Sequence, residues 1–246
     1  MIKKILIIGG TQEGNKLANY FKEHNLEYII SYAGVVEEVY KKKFKKRVGG
    51  FGGTNGIFDF IKQNKITHVI DASHPFSLKI SLNTFHVCKS NNIPIITYTR
   101  KPWFERKKDN WIKVQDFNES LDYLKGETKN VFLAIGKKNL QVFKKYPQHC
   151  YLLRVINDKN VNNFFPNQKC ISYYPNLNVE EEINILKKYK IEVIISKNSG
   201  GNLAYNKIIA ARKLKIPVVI ISRPKSLRSK KIYTLESVLE WLNSEK

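Results

Sequence analysis

Three polar residues follow an apolar run near the middle of the first half of the chain. The run ends at Ile70 and is typical of a buried strand, and Asp71, Ser73 and His74 come next, before Pro75. We expect them at the carboxyl end of a strand, where ligands bind in open α/β sheets. An unperturbed histidine titrates near neutrality, which makes His74 a candidate proton donor, although a hydrogen-bonded structural histidine explains it equally well. Asp71 either orients His74 or a ligand, or caps the helix that follows.

The second half contains a similar arrangement. The apolar residues 193–195 lead into Ser-Lys-Asn-Ser-Gly-Gly at positions 196–201, which resembles an anion-binding turn. Pro94 and Pro217, each in an apolar strand, lie 123 positions apart (217 − 94). The same shift maps three residues of the first half onto the second: Ser73 onto Ser196, His74 onto Lys197 and Arg100 onto Arg223. We interpret the chain as two related α/β halves whose strand-end loops face one cleft.

A glycine turn opens the chain. Residues 2–8 are predicted to form a buried strand, and Gly-Gly-Thr-Gln-Glu-Gly at positions 9–14 then begins a helix that runs to about His24. Free backbone N–H groups and the helix dipole at such a turn favour the pyrophosphate of a dinucleotide. The middle glycine of G-x-G-x-x-G is missing, and Thr11 stands there with a hydroxyl that could reach a phosphate. An ordinary tight turn is the alternative.

The next strand ends at Ser31, Tyr32, Ala33 and Gly34 without an acidic residue, so the usual partner of an NAD ribose is absent and NADP is weakly favoured. The basic run 41–47 either supplies cations for a 2′-phosphate or for substrate carboxylates, or forms a solvated face. Four glycines surround Phe51 in residues 48–53, which indicates either a close backbone approach or a flexible loop.

Composition limits the class of protein. The chain has 246 residues, 42% of them hydrophobic, which is enough for one large or two small domains. Its net charge of +22 favours polyanionic partners, although a coding bias towards lysine would produce the same surface charge. Three widely spaced cysteines indicate a reducing cytoplasm and predict neither a disulfide framework nor a metal site. No apolar run approaches the ~20 residues of a membrane span, so we expect a cytoplasmic protein without membrane contact.

Alternating strand and helix patterns predict parallel α/β sheets, with a boundary within residues 99–130. We place a first domain at residues 1–100 and a second at 101–246. Trp103, Phe104 and Trp111 lie among cations near the boundary, where they either stack on a planar ligand or on bases, or pack between domains. Asn178 with Glu181 is predicted to cap a helix that runs to about Lys190, and Thr234 to cap the final helix.

Taken together, these motifs resemble the precorrin-6A reductase family of corrin biosynthesis. The resemblance is carried in the first half by Gly9-Gly10-Thr11, Ser31-x-Ala33-Gly34, Gly49-Gly50-Phe51-Gly52-Gly53, Asp71-Ala72-Ser73-His74-Pro75-Phe76 and Arg100-x-Pro102-Trp103. In the second half it is carried by Leu133-x-Ile135-Gly136, Arg154-Val155-Ile156, Ser196-Lys197-Asn198-Ser199-Gly200-Gly201, Lys207 and Arg223-Pro224. The chain departs from the family's pattern at Gly14, at Val35 and in the turn at 172–175.

The resemblance implies two Rossmann-like parallel-sheet domains with an interdomain cleft, the first binding the nicotinamide cofactor and the second the substrate. It implies an oxidoreductase that transfers a hydride from NADPH or NADH to one double bond of precorrin-6A, or of its cobalt complex, and gives the corresponding precorrin-6B in cobalamin biosynthesis. Cobalt, where present, belongs to this tetrapyrrole substrate, and we expect no protein metal site and no nucleic acid.

The resulting hypothesis assigns nine residues to the cofactor, seven to the substrate and two to catalysis. Expected cofactor residues are Gly9, Gly10, Thr11, Glu13, Ser31, Ala33, Gly34, Gly52 and Ser73. Expected substrate residues are Arg100, Lys197, Asn198, Ser199, Gly200, Gly201 and Arg223. His74 is the expected proton donor, with solvent as its competitor, and Asp71 its catalytic neighbour. The rival interpretations are another NAD(P)-dependent reductase of the same fold, and a basic protein that binds nucleic acid without being an enzyme. The number of chains in the assembly is left open.

Overall fold

The structure is a computed structural model that describes residues 3–33, 43–155, 164–172, 177–202, 204–225 and 229–245. Its strands are β1 (Lys4–Ile8), β2 (Glu27–Tyr32), β3 (Lys46–Val48), β4 (His68–Asp71), β5 (Ile95–Tyr98), β6 (Trp111–Val114), β7 (Asn130–Ala134), β8 (Cys150–Val155), β9 (Gln168–Ser172), β10 (Val193–Lys197), β11 (Val218–Ile221) and β12 (Lys230–Ile232). Its α-helices are α1 (Gln12–Glu23), α2 (Thr54–Gln63), α3 (Leu78–Ser90), α4 (Val179–Lys188), α5 (Asn206–Leu214) and α6 (Leu235–Ser244). Two 3-10 helices cover Glu119–Leu124 and Lys137–Lys145.

The strands form two six-stranded parallel sheets, which confirms the predicted α/β class. The first sheet has the order β3-β2-β1-β4-β5-β12, which is the strand order of a dinucleotide-binding fold. The second sheet has the order β9-β8-β7-β10-β11-β6, so its first five strands repeat that pattern. In each sheet the order reverses beside the central strand, and this is where ligands bind in open α/β sheets.

Helices cover both faces of the first sheet because alternate residues of β1 point to opposite sides. Ile5 and Ile7 pack with α1 and α6, whereas Leu6 and Ile8 pack with α2 and α3. In the second sheet α4 and α5 pack against one face through Ile183, Leu186, Ile208, Ala210 and Ala211. Buried apolar side chains of the two 3-10 helices, such as Leu124 and Phe143, add to the core of this unit.

The chain divides into a first unit of residues 1–101 and 225–246 and a second unit of residues 102–224. This corrects the predicted domains, because residues 225–246 belong to the first unit and not to the second. The reason is packing: β12 pairs with β5 at the sheet edge, and Val238, Trp241 and Leu242 of α6 lie in the first core. In the second sheet the corresponding edge position is taken by β6, which follows β5 along the chain.

The shift of 123 positions holds for only part of the repeat. It aligns β5 with β11, but Thr97 of β5 pairs with Asp71, whereas Ile220 of β11 pairs with Ser196. The preceding strands are therefore offset by 125 positions (196 − 71), because the connection between the two strands is two residues shorter in the second half. The register corrects the predicted correspondences: Ser73 corresponds to Asn198, and His74 to Ser199.

Helix ends follow the sequence signals. Asn178 and Glu181 form the predicted capping box of α4, and the Thr234 hydroxyl caps α6 by accepting from the Ser237 N–H. Within the described residues, no helix combines the length and the apolar character needed to cross a membrane.

Candidate functional site

The turn between β1 and α1 is shaped for close approach of a ligand to the backbone. A Cβ on Gly9 would lie 2.8 Å from the Ile30 side chain, so only glycine fits, and the Gly9 N–H donates to the Ser31 carbonyl. Gly10 has a φ of +113°, a conformation that favours glycine, and a Cβ there would meet nothing within 4 Å. The N–H groups of Gln12 and Glu13 have no acceptor among the described residues. This is the geometry that a pyrophosphate needs.

Thr11 takes a role that differs from the predicted one. Its hydroxyl donates to the Ala72 carbonyl at 2.7 Å and accepts from the Gly14 N–H at 3.2 Å. By accepting from Gly14 the hydroxyl caps α1, and by donating to Ala72 it joins the glycine turn to the end of β4. The expected contact of Thr11 with a phosphate stays a prediction.

Glu13 and Arg100 are brought together at the start of α1. Arg100 Nη1 lies 2.9 Å from Glu13 Oε2, and the two side chains are 19% and 18% exposed. The sequence hypothesis assigned Glu13 to the cofactor and Arg100 to the substrate, and it did not predict an ion pair between them. The guanidinium offsets the negative charge that Glu13 places beside the first turn of α1.

Arg47 lies against the end of β2. Its Nη1 donates to Ser31 Oγ at 2.8 Å and to the Gly49 carbonyl at 2.9 Å, and its Nη2 donates to the Gly50 carbonyl at 2.9 Å. The guanidinium carbon sits 3.8 Å from the centroid of the Phe51 ring. Burial lowers the pKa of Arg47 from its ordinary value. The glycine-rich loop is thus folded around a cation, and this part of the basic run is not a solvated face.

The remaining glycine and alanine positions of the predicted cofactor site differ in exposure and in backbone conformation. Ala33 is exposed beyond β2, and Gly34 lies outside the described residues. Gly52 has a φ of +77°, as a tight turn requires. Gly56 was missed by sequence reasoning: a Cβ there would lie 1.7 Å from the Phe51 carbonyl oxygen. A glycine at the third position of a predicted helix was the available signal.

The end of β4 holds the candidate acid. Asp71 is buried, and its Oδ1 accepts from the Ser73 N–H at 3.0 Å, so the carboxylate shapes the turn. Ser73 Oγ lies 3.0 Å from Ser81 Oγ. His74 Nδ1 accepts from the Phe76 N–H at 3.2 Å, which places the proton of a neutral His74 on Nε2. That tautomer leaves His74 able to donate from Nε2.

In the second unit, the turn after β10 is fastened by Trp103. The Asn198 side chain accepts from the Trp103 N–H at 2.7 Å and donates to the Trp103 carbonyl at 3.0 Å. The Trp103 indole donates to the Gly201 carbonyl at 2.7 Å. Gly200 and Gly201 have φ values of +70° and +71°. The Asn198 amide therefore has a structural task that its sequence assignment to the substrate did not include.

Arg223, two residues after the end of β11, fastens the same turn. Its Nε donates to the Asn198 carbonyl at 2.9 Å and its Nη2 to the Ser199 carbonyl at 2.8 Å. Lys197, at the end of β10, lies 5.5 Å from the Phe117 ring centroid. Burial, followed by the positive charge of Lys138, lowers the pKa of Lys197 from 10.5 to about 8. An anion bound here would relieve that repulsion.

A buried charged cluster lies beneath this turn. Arg154 and Glu182 form a bidentate pair with two contacts of 2.7 Å, at side-chain exposures of 7% and 4%. Lys207 is buried beside them, donates to the Ala204 carbonyl at 2.6 Å and lies 4.9 Å from the Trp103 ring centroid. Burial, with Arg154 as the second cause, lowers the pKa of Lys207 to about 7. Sequence reasoning singled out Arg154 and Lys207 as motif residues but did not find Glu182.

The described residues contain no group of three or more histidine, cysteine or acidic side chains that could hold a metal ion. Cys88 and Cys150 are free thiols, and burial raises the pKa of Cys88 to about 12.

Comparison with known proteins identifies the family. A family model described as "Precorrin-6x reductase CbiJ/CobK" matches residues 4–243. The chain is 34% identical over 239 residues to "Precorrin-6A reductase" of Rhodobacter capsulatus, with 97% of this chain and 95% of the relative covered. It is 28% identical over 233 residues to "Cobalt-precorrin-6A reductase" of Methanocaldococcus jannaschii, with 90% of each chain covered.

A solved structure agrees over nearly the whole chain. The protein described as "CobK precorrin-6A reductase" superposes with a TM-score of 0.92 at 34% identity, covering 98% of this chain and 96% of that one. The family model, the relative at 34% identity and the solved structure each cover nearly the whole chain, and the chain belongs to the precorrin-6x reductase CbiJ/CobK family.

Proposed function

We propose that the chain reduces one double bond of precorrin-6A, metal-free or as its cobalt complex, with NADPH or NADH as the hydride donor. The observation that carries the proposal is the likeness to precorrin-6A reductases over 97% of the chain, together with the TM-score of 0.92 to a solved one. A relative named for the cobalt complex covers 90% of the chain, so both macrocycles are candidates.

The first unit fits a nicotinamide dinucleotide. Its strand order is that of dinucleotide-binding folds, and the turn at Gly9 and Gly10 lets a pyrophosphate approach the N–H groups of Gln12 and Glu13. Arg100 balances the charge of Glu13 there and so lowers the repulsion that a phosphate would meet. When bound, the dihydronicotinamide supplies a hydride, which is chemistry that side chains lack.

The substrate carries carboxylates, and the second unit offers cations at its strand ends. Lys197 has its pKa lowered to about 8 by burial and by the positive charge of Lys138, so a substrate carboxylate beside it would stabilise the charged form. Arg223 holds the carbonyls of Asn198 and Ser199 in place. In this proposal the turn 197–201 orients the macrocycle, and Trp103 keeps the turn rigid.

His74 is the proposed proton donor to the carbon beside the one that receives the hydride. Its Nδ1 is occupied by the Phe76 N–H, so Nε2 carries the mobile proton in the neutral ring. Replacement of His74 by Ala should lower kcat by about 10²-fold or more, as expected for loss of a general acid, and leave the Kd of the nucleotide unchanged. An unchanged kcat would assign the proton to solvent.

The experiment that tests the function is nucleotide oxidation by the purified protein, followed at 340 nm. Precorrin-6A and cobalt-precorrin-6A are each supplied with NADPH and with NADH, and the product is identified by its gain of two hydrogens. We expect oxidation that requires the macrocycle. Folded protein that oxidises neither nucleotide with either macrocycle would overturn the proposal.

A further inference from the structure

Arg47 is a cation held rigidly by neutral groups. Three of its N–H donors are used, on Ser31 Oγ and on the carbonyls of Gly49 and Gly50. Phe51 stacks on the guanidinium at 3.8 Å, and Phe60 lies 5.3 Å from its centre. In the described part of the chain, the Nε–H and one Nη2–H of Arg47 have no acceptor. A planar cation fixed in this way keeps donors ready for a ligand.

The charge of Arg47 is not neutralised within the described residues. Their ion pairs are formed by other cations, including the neighbouring Lys45, which lies 2.9 Å from Glu27. Burial lowers the pKa of Arg47, but an arginine stays charged at physiological pH. A partly buried cation among neutral oxygens and aromatic rings is stabilised when an anion binds beside it.

The position of Arg47 determines which anion this would be. Arg47 pairs in register with Ser31, and Ser31 pairs with Ile8, the last residue of β1. In this strand order, the end of the strand next to β1 is the place of the adenosine ribose of a dinucleotide. An acidic residue there binds the 2′-hydroxyl of NAD, whereas an arginine accommodates the 2′-phosphate of NADP. Here the strand ends in Ser31 and Tyr32, Ala33 follows it, and the arginine comes from β3.

We propose that Arg47 binds the 2′-phosphate of the nucleotide and makes the chain selective for NADPH over NADH. The inference rests on the proposed function for the presence of a nucleotide, and adds the residue that discriminates between the two. Ser31 is a positioning residue in this arrangement, because it is buried and accepts from the guanidinium. Phe51 and the carbonyls of Gly49 and Gly50 fix the plane of the guanidinium.

The test compares the binding of nucleotides that differ only in the 2′-phosphate. Kd values for NADPH and NADH are measured by calorimetry on the full chain, together with 2′,5′-ADP against 5′-AMP as fragments. The wild type should bind NADPH at least about tenfold more tightly, as a charge-assisted hydrogen bond allows. R47Q should lose about 10- to 100-fold in affinity for NADPH and change little towards NADH. R47K keeps the positive charge but lacks the planar guanidinium, so its affinity for NADPH should lie between those of the wild type and R47Q.

The matched control is K45Q, which removes one positive charge two residues away from an exposed ion pair. K45Q should keep the NADPH to NADH ratio of the wild type, and raising the salt concentration should weaken the fragment 2′,5′-ADP more than 5′-AMP. The inference is overturned if R47Q or R47K weakens both dinucleotides equally, which would leave Arg47 only a loop-fixing role, or if the wild type prefers NADH. Selective binding without macrocycle reduction would instead count against the proposed function alone.

Discussion

At the same register position the first sheet has a neutral serine and the second sheet has a buried arginine. Ser31 on β2 pairs with Ile8 of the central strand, and in the second sheet the matching position, one step beyond the Leu153–Leu133 pair, is Arg154 on β8. Arg154 is neutralised by Glu182 in a buried bidentate pair. Arg47, which lies beside Ser31, is held by neutral oxygens and a ring.

This difference indicates that the two sheets share a strand order but use their arginines for different purposes. In the second unit the buried cation is paired inside the protein, so its contribution is to the stability and shape of the turn above it. In the first unit the cation and the first N–H groups of α1 keep donors without acceptors in the described residues. Groups of that kind favour an anionic ligand. The predictions that follow test the ion pairs of the two units, then the packing of the loop around Arg47, and then the titration of Lys207.

Replacement of Glu182 should have the largest effect. E182Q leaves the Arg154 guanidinium buried without a negative partner, which costs about 3–5 kcal/mol of unfolding free energy. Urea unfolding followed by circular dichroism measures the loss. The double variant R154M/E182M removes both charges and should recover most of the stability.

The counterpart in the first unit is E13Q. Its pair with Arg100 is 18–19% exposed, so the loss should be about 1 kcal/mol or less. Equal losses for E13Q and E182Q would contradict the view that the buried ion pair of the second unit contributes more to stability than the partly exposed pair of the first.

Glycines at the third position of two helices of the first unit should respond in opposite directions. In α2 an alanine at Gly56 would place its Cβ 1.7 Å from the Phe51 carbonyl oxygen, so the loop around Arg47 must move, at a cost of about 1–3 kcal/mol. NADPH binding should weaken along with it. Thermal unfolding and nucleotide titration of G56A measure both effects.

Gly14 in α1 provides the control. An alanine there meets its nearest atoms, Ala72 Cβ and Gly9 Cα, at 3.4 Å, which is an ordinary contact, and gains about 0.5–1 kcal/mol from helix propensity. A destabilised G14A or an unaffected G56A would show that the two turns are packed differently from the structure.

A further prediction is a pH dependence of stability that comes from Lys207. Its pKa is about 7 in the folded chain and 10.5 ordinarily, so between these values the unfolded chain binds more protons and stability rises with pH. From pH 7 to pH 9.5 the wild type should gain about 3 kcal/mol relative to K207M, which lacks the titrating group. The measurement is urea unfolding of both proteins across that range. Parallel profiles would show that Lys207 does not titrate in it.

Short-range features of the site could be predicted from sequence. The glycine turn before α1, the capping box of Asn178 and Glu181, and the cap at Thr234 were all expected and are confirmed. Each depends on residues within about four positions of one another, so the chain itself carries the signal. The two parallel sheets followed from alternating strand and helix patterns in the same way.

Long-range pairings could not be predicted. Glu13 and Arg100 are 87 residues apart, Trp103 and Asn198 are 95 apart, and no local pattern marks them as partners. The two-residue difference between the halves was also hidden, since a shift estimated from one pair of prolines was extended to strands that follow a different offset.

By itself, the sequence determined which segments are strands and helices, where they are capped, and which family the motifs resemble, because these depend on local chemistry and spacing. Only the tertiary structure decided that β12 completes the first sheet, that the Thr11 hydroxyl donates to the Ala72 carbonyl, and that Glu182 neutralises Arg154. The physical reason is that an unpaired sheet edge, hydroxyl or buried charge can be satisfied by any suitable group that folding brings near, and that choice belongs to the whole chain.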